Sequence, residues 1–143
     1  MRILLYRSQI IGAEGEVPIT AVILDNLGRC IGHGSNTRNK EKNPMGHAEI
    51  AAISQASWVK NDWRLNDCTL IVTLEPCTMC AAAISEAHIS TVYFGAYDEK
   101  NGGVEKLRIA FNKNNIFVPD IYGGICESQS KKMLKNFFKN NRK

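Results

Sequence analysis

Apolar positions in this chain fall into short blocks with polar turns between them, and the blocks alternate between strand-like and helix-like composition. The run ITAVILD (19–25) is continuous and rich in β-branched residues, which predicts a buried strand. NLG after it supplies a turn, so RCIGHGSN (29–36) is its hairpin partner. TRNKEKNPMG (37–46) is a polar loop in which Pro44 and Gly46 halt regular structure just before His47. HAEIAAISQASWVK (47–60) has helix-forming composition, with Ile50, Ile53 and the neighbouring alanines able to face a sheet. TLIVTLE (69–75) is a second buried strand, and Pro76, suited to a first helical turn, opens a helix through CTMCAAAISEAH. TVYFGAYD (91–98) is a strand, GVEKLRIAF (103–111) a short helix, and IFVPDIYGG (116–124) a last, less regular strand. Residues 3–13 form a short first helix and ESQSKKMLKNFFKNN (127–141) a terminal one.

Alternation of strand and helix from residue 69 onward implies parallel pairing through right-handed crossovers, after an opening hairpin. The expected architecture is α/β: a mixed five-stranded sheet with helices on both faces. With 143 residues and no linker or repeat, the whole chain reads as a single domain. A domain of this size buries roughly 70% of its unfolded surface without staples.

Composition adds two constraints. MRILLYRSQIIG has only a three-residue apolar run, too short for the core of a signal peptide, and no stretch approaches the length of a membrane span. The expectation is a cytoplasmic protein without a membrane partner. The net charge of +4 is unevenly placed: residues 131–143 carry six Lys/Arg and no acid, leaving 12 basic against 14 acidic residues elsewhere. A basic tail on a mildly acidic body suits a polyanionic partner.

The chemistry lies in TLEPCTMC (73–80). Five cysteines is an odd and scattered count, so Cys30, Cys68 and Cys126 are read as small core or near-surface residues. Cys77 and Cys80 alone have metal-ligand spacing, on one face of a first helical turn at the carboxyl end of a strand. A helix amino terminus there favours thiolate over thiol. The third ligand is sought in MGHAEIAAI. His47 and Glu49 serve one centre only if His47 sits at the helix entrance and Glu49 in the first turn. A fourth ligand from His33, His88 or an acid would make the zinc structural. Three protein ligands leave a position for water, as in a catalytic site. Zn²⁺ with two thiolates and a neutral imidazole is formally uncharged and acidifies water weakly, so a nearby base is needed, and Glu49 fits by type and place.

HAE followed by PCTMC matches the zinc-deaminase signature H-x-E…P-C-x-x-C. GEVPITAVIL, GHAEIAAI, TLEPCTMCAAAI, VYFGAYDEKNGG and NFFKNNRK, in that order, resemble the bacterial tRNA-specific adenosine deaminase family from Gly15 onward. The signature alone is shared with cytidine, deoxycytidylate and guanine deaminases. The resemblance implies a three-layer α/β/α cytidine-deaminase-like fold, one Zn²⁺ held by His47, Cys77 and Cys80, no organic cofactor, and Glu49 as proton carrier. It further implies adenosine-to-inosine deamination at the first anticodon position, a homodimer, and a tRNA anticodon stem-loop as partner. By the same resemblance Asn36 contacts the target nucleoside, and Asp98 and Lys100 contact RNA beside it. Four departures accompany it, bearing on the tRNA contacts and on pocket shape near Thr20: the first helix is short, Thr20 stands where the family has glycine, VEKL follows GG, and the basic ending is thinned to KNNRK.

In the terminal helix Met133 pairs with Phe137 and Leu134 with Phe138, two stripes about 100° apart. Phe137 is expected to pack on the body and Phe138, by resemblance, to meet the anticodon loop, since splayed bases stack on aromatics. Lys135, Lys139 and Arg142 share another stripe suited to phosphate. Glu75 is expected to fix the turn before Pro76, and Trp58 and Trp63 to be core or subunit-contact residues. Two other readings remain open: a deaminase of a free base or nucleoside, and a binding module with structural zinc.

Overall fold

The computed structural model describes residues 1–104 and 116–141. In chain order the elements are α1 (Arg2–Ala13), β1 (Thr20–Leu24), β2 (Cys30–Ser35), α2 (Ala48–Lys60), β3 (Thr69–Leu74), α3 (Thr78–Glu86), β4 (Thr91–Ala96), β5 (Asp120–Tyr122) and α4 (Glu127–Asn140). The strands form one five-stranded sheet in the order β2-β1-β3-β4-β5. β1 pairs antiparallel with β2 and β3, whereas β3–β4 and β4–β5 are parallel, so the expected mixed sheet is present. The final strand is shorter than the 116–124 expected, since Pro119 offers no N–H to a ladder. The expected helix at GVEKLRIAF falls largely outside the described residues, as does Arg142.

Helices cover both faces: α2 and α3 lie together on one side, α1 and α4 on the other. On the α2 side, Ala21, Ile23, Leu70, Val72, Val92 and Phe94 form the buried core with Ala48, Ala52, Ala56 and Ile84. The inward stripe of α2 is made by alanines at i, i+4 and i+8, while Ile50 and Ile53 are only partly buried. The reason lies in β2. A side chain at Gly32 or Gly34 would collide with the carbonyl oxygens of Ala52 and Ala48, so helix and strand approach backbone to backbone. That close approach fixes where the amino terminus of α2 emerges.

Residue parity decides another position. Thr20 is fully buried and points away from the α2 face; its hydroxyl donates to the Leu4 carbonyl (2.8 Å) and bonds the Ser8 hydroxyl (2.8 Å). It ties α1 to the sheet rather than bordering the pocket, which Ile19, one residue earlier, lines instead. Trp58 and Trp63 are 83% and 60% exposed, so neither is a core residue.

Candidate metal centre and active site

β3 ends at Leu74, and the chain turns through Glu75 and Pro76 into α3. Cys77 is the helix N-cap, with extended backbone angles (φ −70°, ψ 176°), and Pro76 precedes the cap rather than occupying the first turn. His47 caps α2 in the same way (φ −94°, ψ 148°). Helices usually begin with Ser, Thr, Asp or Asn, whose oxygen binds a free backbone N–H. Neither His47 nor Cys77 makes such a bond, so both side chains reach past their helix ends.

There they meet. His47 Nδ1 lies 3.6 Å from Cys77 Sγ and 3.5 Å from Cys80 Sγ. The three ligand atoms all lie within 4.8 Å of one another. Tetrahedral zinc with ordinary Zn–N and Zn–S bonds requires an N···S edge of about 3.6 Å, so this donor set fits that ion. Among the described residues these three form the only such cluster. His33 is exposed and its ring faces Arg7 at 3.5 Å. His88 is stacked on Phe117 (centroids 5.0 Å) and meets the Trp63 ring edge-on. Neither histidine therefore lies at the cluster as a fourth ligand.

The electrostatics match the geometry. A hydrogen bond from Cys80, with further help from His47, holds the Cys77 thiol down to about 4, so it is a thiolate at neutral pH. Cys80 itself is pushed well up, first by sharing its proton with Cys77 and then by burial. The hydrogen bond to Cys77 raises His47 above its ordinary value. A divalent cation binding here displaces protons from the sulfur and imidazole.

Glu49, in the first turn of α2, is 4% exposed. Burial pushes its carboxyl up to about 7, partly opposed by the charge of His47 and a hydrogen bond with Cys80. A carboxyl poised near neutrality beside a metal triad can both take and return a proton.

His47, Cys77 and Glu49 form one wall of a cavity of about 350 Å³, which Asn36, Arg38, Glu75, Asp98 and Asn101 also line, with Val17, Ile19 and Leu74 as apolar walls. Asn36 Oδ1 accepts from the Arg38 backbone N–H (3.0 Å), which orients its amide. Glu75 Oε1 accepts from Asp98 N (3.1 Å), which ties the end of β3 to the loop after β4. Asp98 Oδ1 in turn accepts from Lys100 N and Asn101 N. A side chain at Gly103 would crowd the start of α3, with Thr78 N only 2.6 Å away, which gives the GG pair its packing role. Lys100 and Phe138 line not this cavity but an adjoining groove of about 640 Å³, which shares Val17, Leu74, Asp98 and Asn101 with it. Phe138 is half exposed there, whereas Phe137 packs toward Gly12 of α1. Arg38 and the apolar walls were not singled out from the sequence; the Asn-x-Arg spacing was the available signal for Arg38.

Comparison with known proteins agrees with this geometry. Residues 1–96 match the cytidine and deoxycytidylate deaminase zinc-binding region. A tRNA-specific adenosine deaminase of Rickettsia felis is 43% identical over 128 residues, covering 88% of this chain and 89% of that protein. The Bacillus subtilis protein of the same name is 37% identical, covering 91% and 81%. A solved structure from work on A-to-I editing by tRNA:A34 deaminases superposes with a TM-score of 0.86 at 41% identity, covering 93% of this chain and 96% of that one. Guanine deaminase from Nitrosomonas europaea shares the fold (TM-score 0.77) at 19% identity, with 94% and 81% covered. By metal cluster, fold and sequence together, the chain belongs to the zinc-binding cytidine and deoxycytidylate deaminase family, in its tRNA-specific adenosine deaminase branch.

Proposed function

We propose that this chain hydrolytically deaminates adenosine to inosine at the wobble position of tRNA, accepting the anticodon stem-loop and working in the cytoplasm as one deaminase domain. The observation that carries the reading is the meeting of two helix amino termini at His47, Cys77 and Cys80, with Glu49 buried beside them. The similarity to tRNA-specific adenosine deaminases over most of the chain supports the choice of substrate.

His47, Cys77 and Cys80 would hold the ion. Zinc, when bound, supplies the Lewis acidity that turns water into a nucleophile at neutral pH. Glu49 takes a proton from the attacking water and gives it to N1 of the adenine as oxygen adds to C6. It then carries a second proton to the departing amino group, so that water and adenosine become inosine and ammonia. With Asn36 Oδ1 engaged by the Arg38 backbone, the amide N–H₂ is the donor offered to the nucleoside. Asp98 and Lys100 receive the neighbouring nucleotides, and Phe138 offers a ring on which a splayed base stacks. Lys135, Lys139 and, by the family resemblance, Arg142 are proposed to contribute positive charge for RNA phosphates.

The substrate is decided by measuring inosine formation in an anticodon stem-loop against turnover of free adenosine, guanine and cytidine. The stem-loop is expected to be preferred by at least about 10²-fold in kcat/KM, because contacts remote from the reacting ring add transition-state binding. Preference for a free base would replace the RNA reading with a nucleobase one.

The active unit is proposed to be a homodimer. Trp58, Val59 and Trp63 are all more than half exposed at the carboxyl end of α2 and just beyond it, an apolar surface that a second copy would cover. Sedimentation is expected to give twice the chain mass; a monomer at micromolar concentration would overturn this.

A further inference from the structure

Glu16 lies outside the catalytic cluster, between α1 and β1, yet it is only 6% exposed. A carboxylate is seldom buried without partners. Its partners are backbone groups: Asn39 N donates to Oε2 at 3.3 Å and Lys40 N to Oε1 at 2.5 Å.

Both donors sit in the 37–46 loop, whose base is closed by Thr37 N donating to the Gly46 carbonyl (2.9 Å). The two residues flanking that base are Asn36 and His47, and both line the catalytic cavity. Within the loop, Glu41 N bonds the Thr37 carbonyl (2.8 Å) and Asn43 N the Arg38 carbonyl (3.1 Å). Among the described residues, Glu16 is the only one outside the loop and its flanks that hydrogen-bonds to it. The loop carries Arg38, Lys40 and Lys42 against a single acid, Glu41, so the buried carboxylate also offsets its positive charge.

We propose that Glu16 is a positioning residue: by clamping the loop from outside it holds Arg38 and Asn36 at the cavity mouth, and so sets the entrance for the target nucleotide. This rests on the deaminase reading above. A loop already ordered before substrate arrives adds no ordering cost to binding. Release of the clamp therefore acts on KM. The closed base at Thr37 and Gly46 insulates His47 and Glu49, so kcat and zinc content stay.

The test is Glu16→Gln in the zinc-loaded protein. The amide keeps the shape but presents N–H₂ to one of the two backbone donors. KM for the anticodon stem-loop is expected to rise roughly 10- to 100-fold, the worth of a charge-assisted hydrogen bond. kcat should stay within about threefold, with exchange of the Asn39 and Lys40 amides accelerated in parallel. Unchanged KM with unchanged exchange overturns the proposal, and so does a fall in kcat at constant KM. Should Glu16→Gln fail to fold, Glu16→Asp, which keeps the charge but retracts it by one carbon, is read by the same two measurements. If the wild-type protein ignores RNA and acts on a free nucleoside, the substrate reading fails. The KM split for Glu16→Gln is then taken on that nucleoside, which still decides the clamp.

Discussion

Glu49→Gln keeps its zinc and its fold and loses deamination by about 10²–10⁴-fold, the usual worth of a general acid/base. Glutamine matches the carboxyl in shape but cannot carry a proton, and Glu49 is not among the three clustered ligand atoms. Metal analysis and single-turnover inosine formation on the same sample separate the two roles; wild-type turnover would remove Glu49 from the mechanism. The same substitution should stabilise the metal-free protein. Burial raises this carboxyl from 4.5 to about 7. Below pH 4.5 it is protonated folded and unfolded alike and has no effect. Between 4.5 and 7 the unfolded chain ionises first, so wild-type stability falls as pH rises. Above 7 the deficit is constant at about 3 kcal/mol, at 1.36 kcal/mol per unit. Denaturant midpoints of Glu49→Gln and wild type should therefore coincide at pH 4 and diverge by pH 8. A residue whose removal helps the fold and abolishes the chemistry is held for the chemistry.

How far the sequence carried this picture depends on whether a signal was local. Strands such as Thr69–Leu74 and the metal triad were legible, because β-branched runs and the H-x-E and P-C-x-x-C spacings are written in a few consecutive residues. Their convergence was legible too: ligands with no use as caps, placed where two helices start, need something to bind. Facing was harder. Trp58 and Trp63 are apolar and were read as core or subunit-contact residues, yet the inward stripe of α2 must be alanine because Gly32 and Gly34 draw the helix onto the strand. That pairing of small residues across two elements is visible only once they are known to touch. The face that Thr20 takes depends on strand parity, since one residue's shift moves a side chain to the other face of the sheet. Arg38 and Glu16 belong to a loop closed by backbone bonds, which no periodicity reports.

Cys80→Ala removes one of the three ligands of the centre and with it most of the zinc affinity. Cys80 is fully buried at the third position of α3 and gives the cluster its most enclosed ligand. Zinc held by four protein ligands in small folded modules is worth about 10–16 kcal/mol, so each ligand carries about 3–4 kcal/mol. Its loss should weaken zinc binding by roughly 10²–10³-fold or more. Deamination should fall to background even with Glu49 intact, and excess zinc should restore little of it. Wild-type protein stripped with a chelator should instead recover on adding one zinc per chain. The proton count gives an independent reading. Without metal, Cys77 is already a thiolate, while Cys80 holds its proton and His47 is shifted toward its protonated form. Zinc must displace the Cys80 proton, so its affinity for the wild type should rise about tenfold per pH unit for each proton released. Calorimetry in buffers of different ionisation enthalpy measures that release directly. A Cys80→Ala protein that still bound zinc one-to-one and deaminated normally would place the ion on other residues.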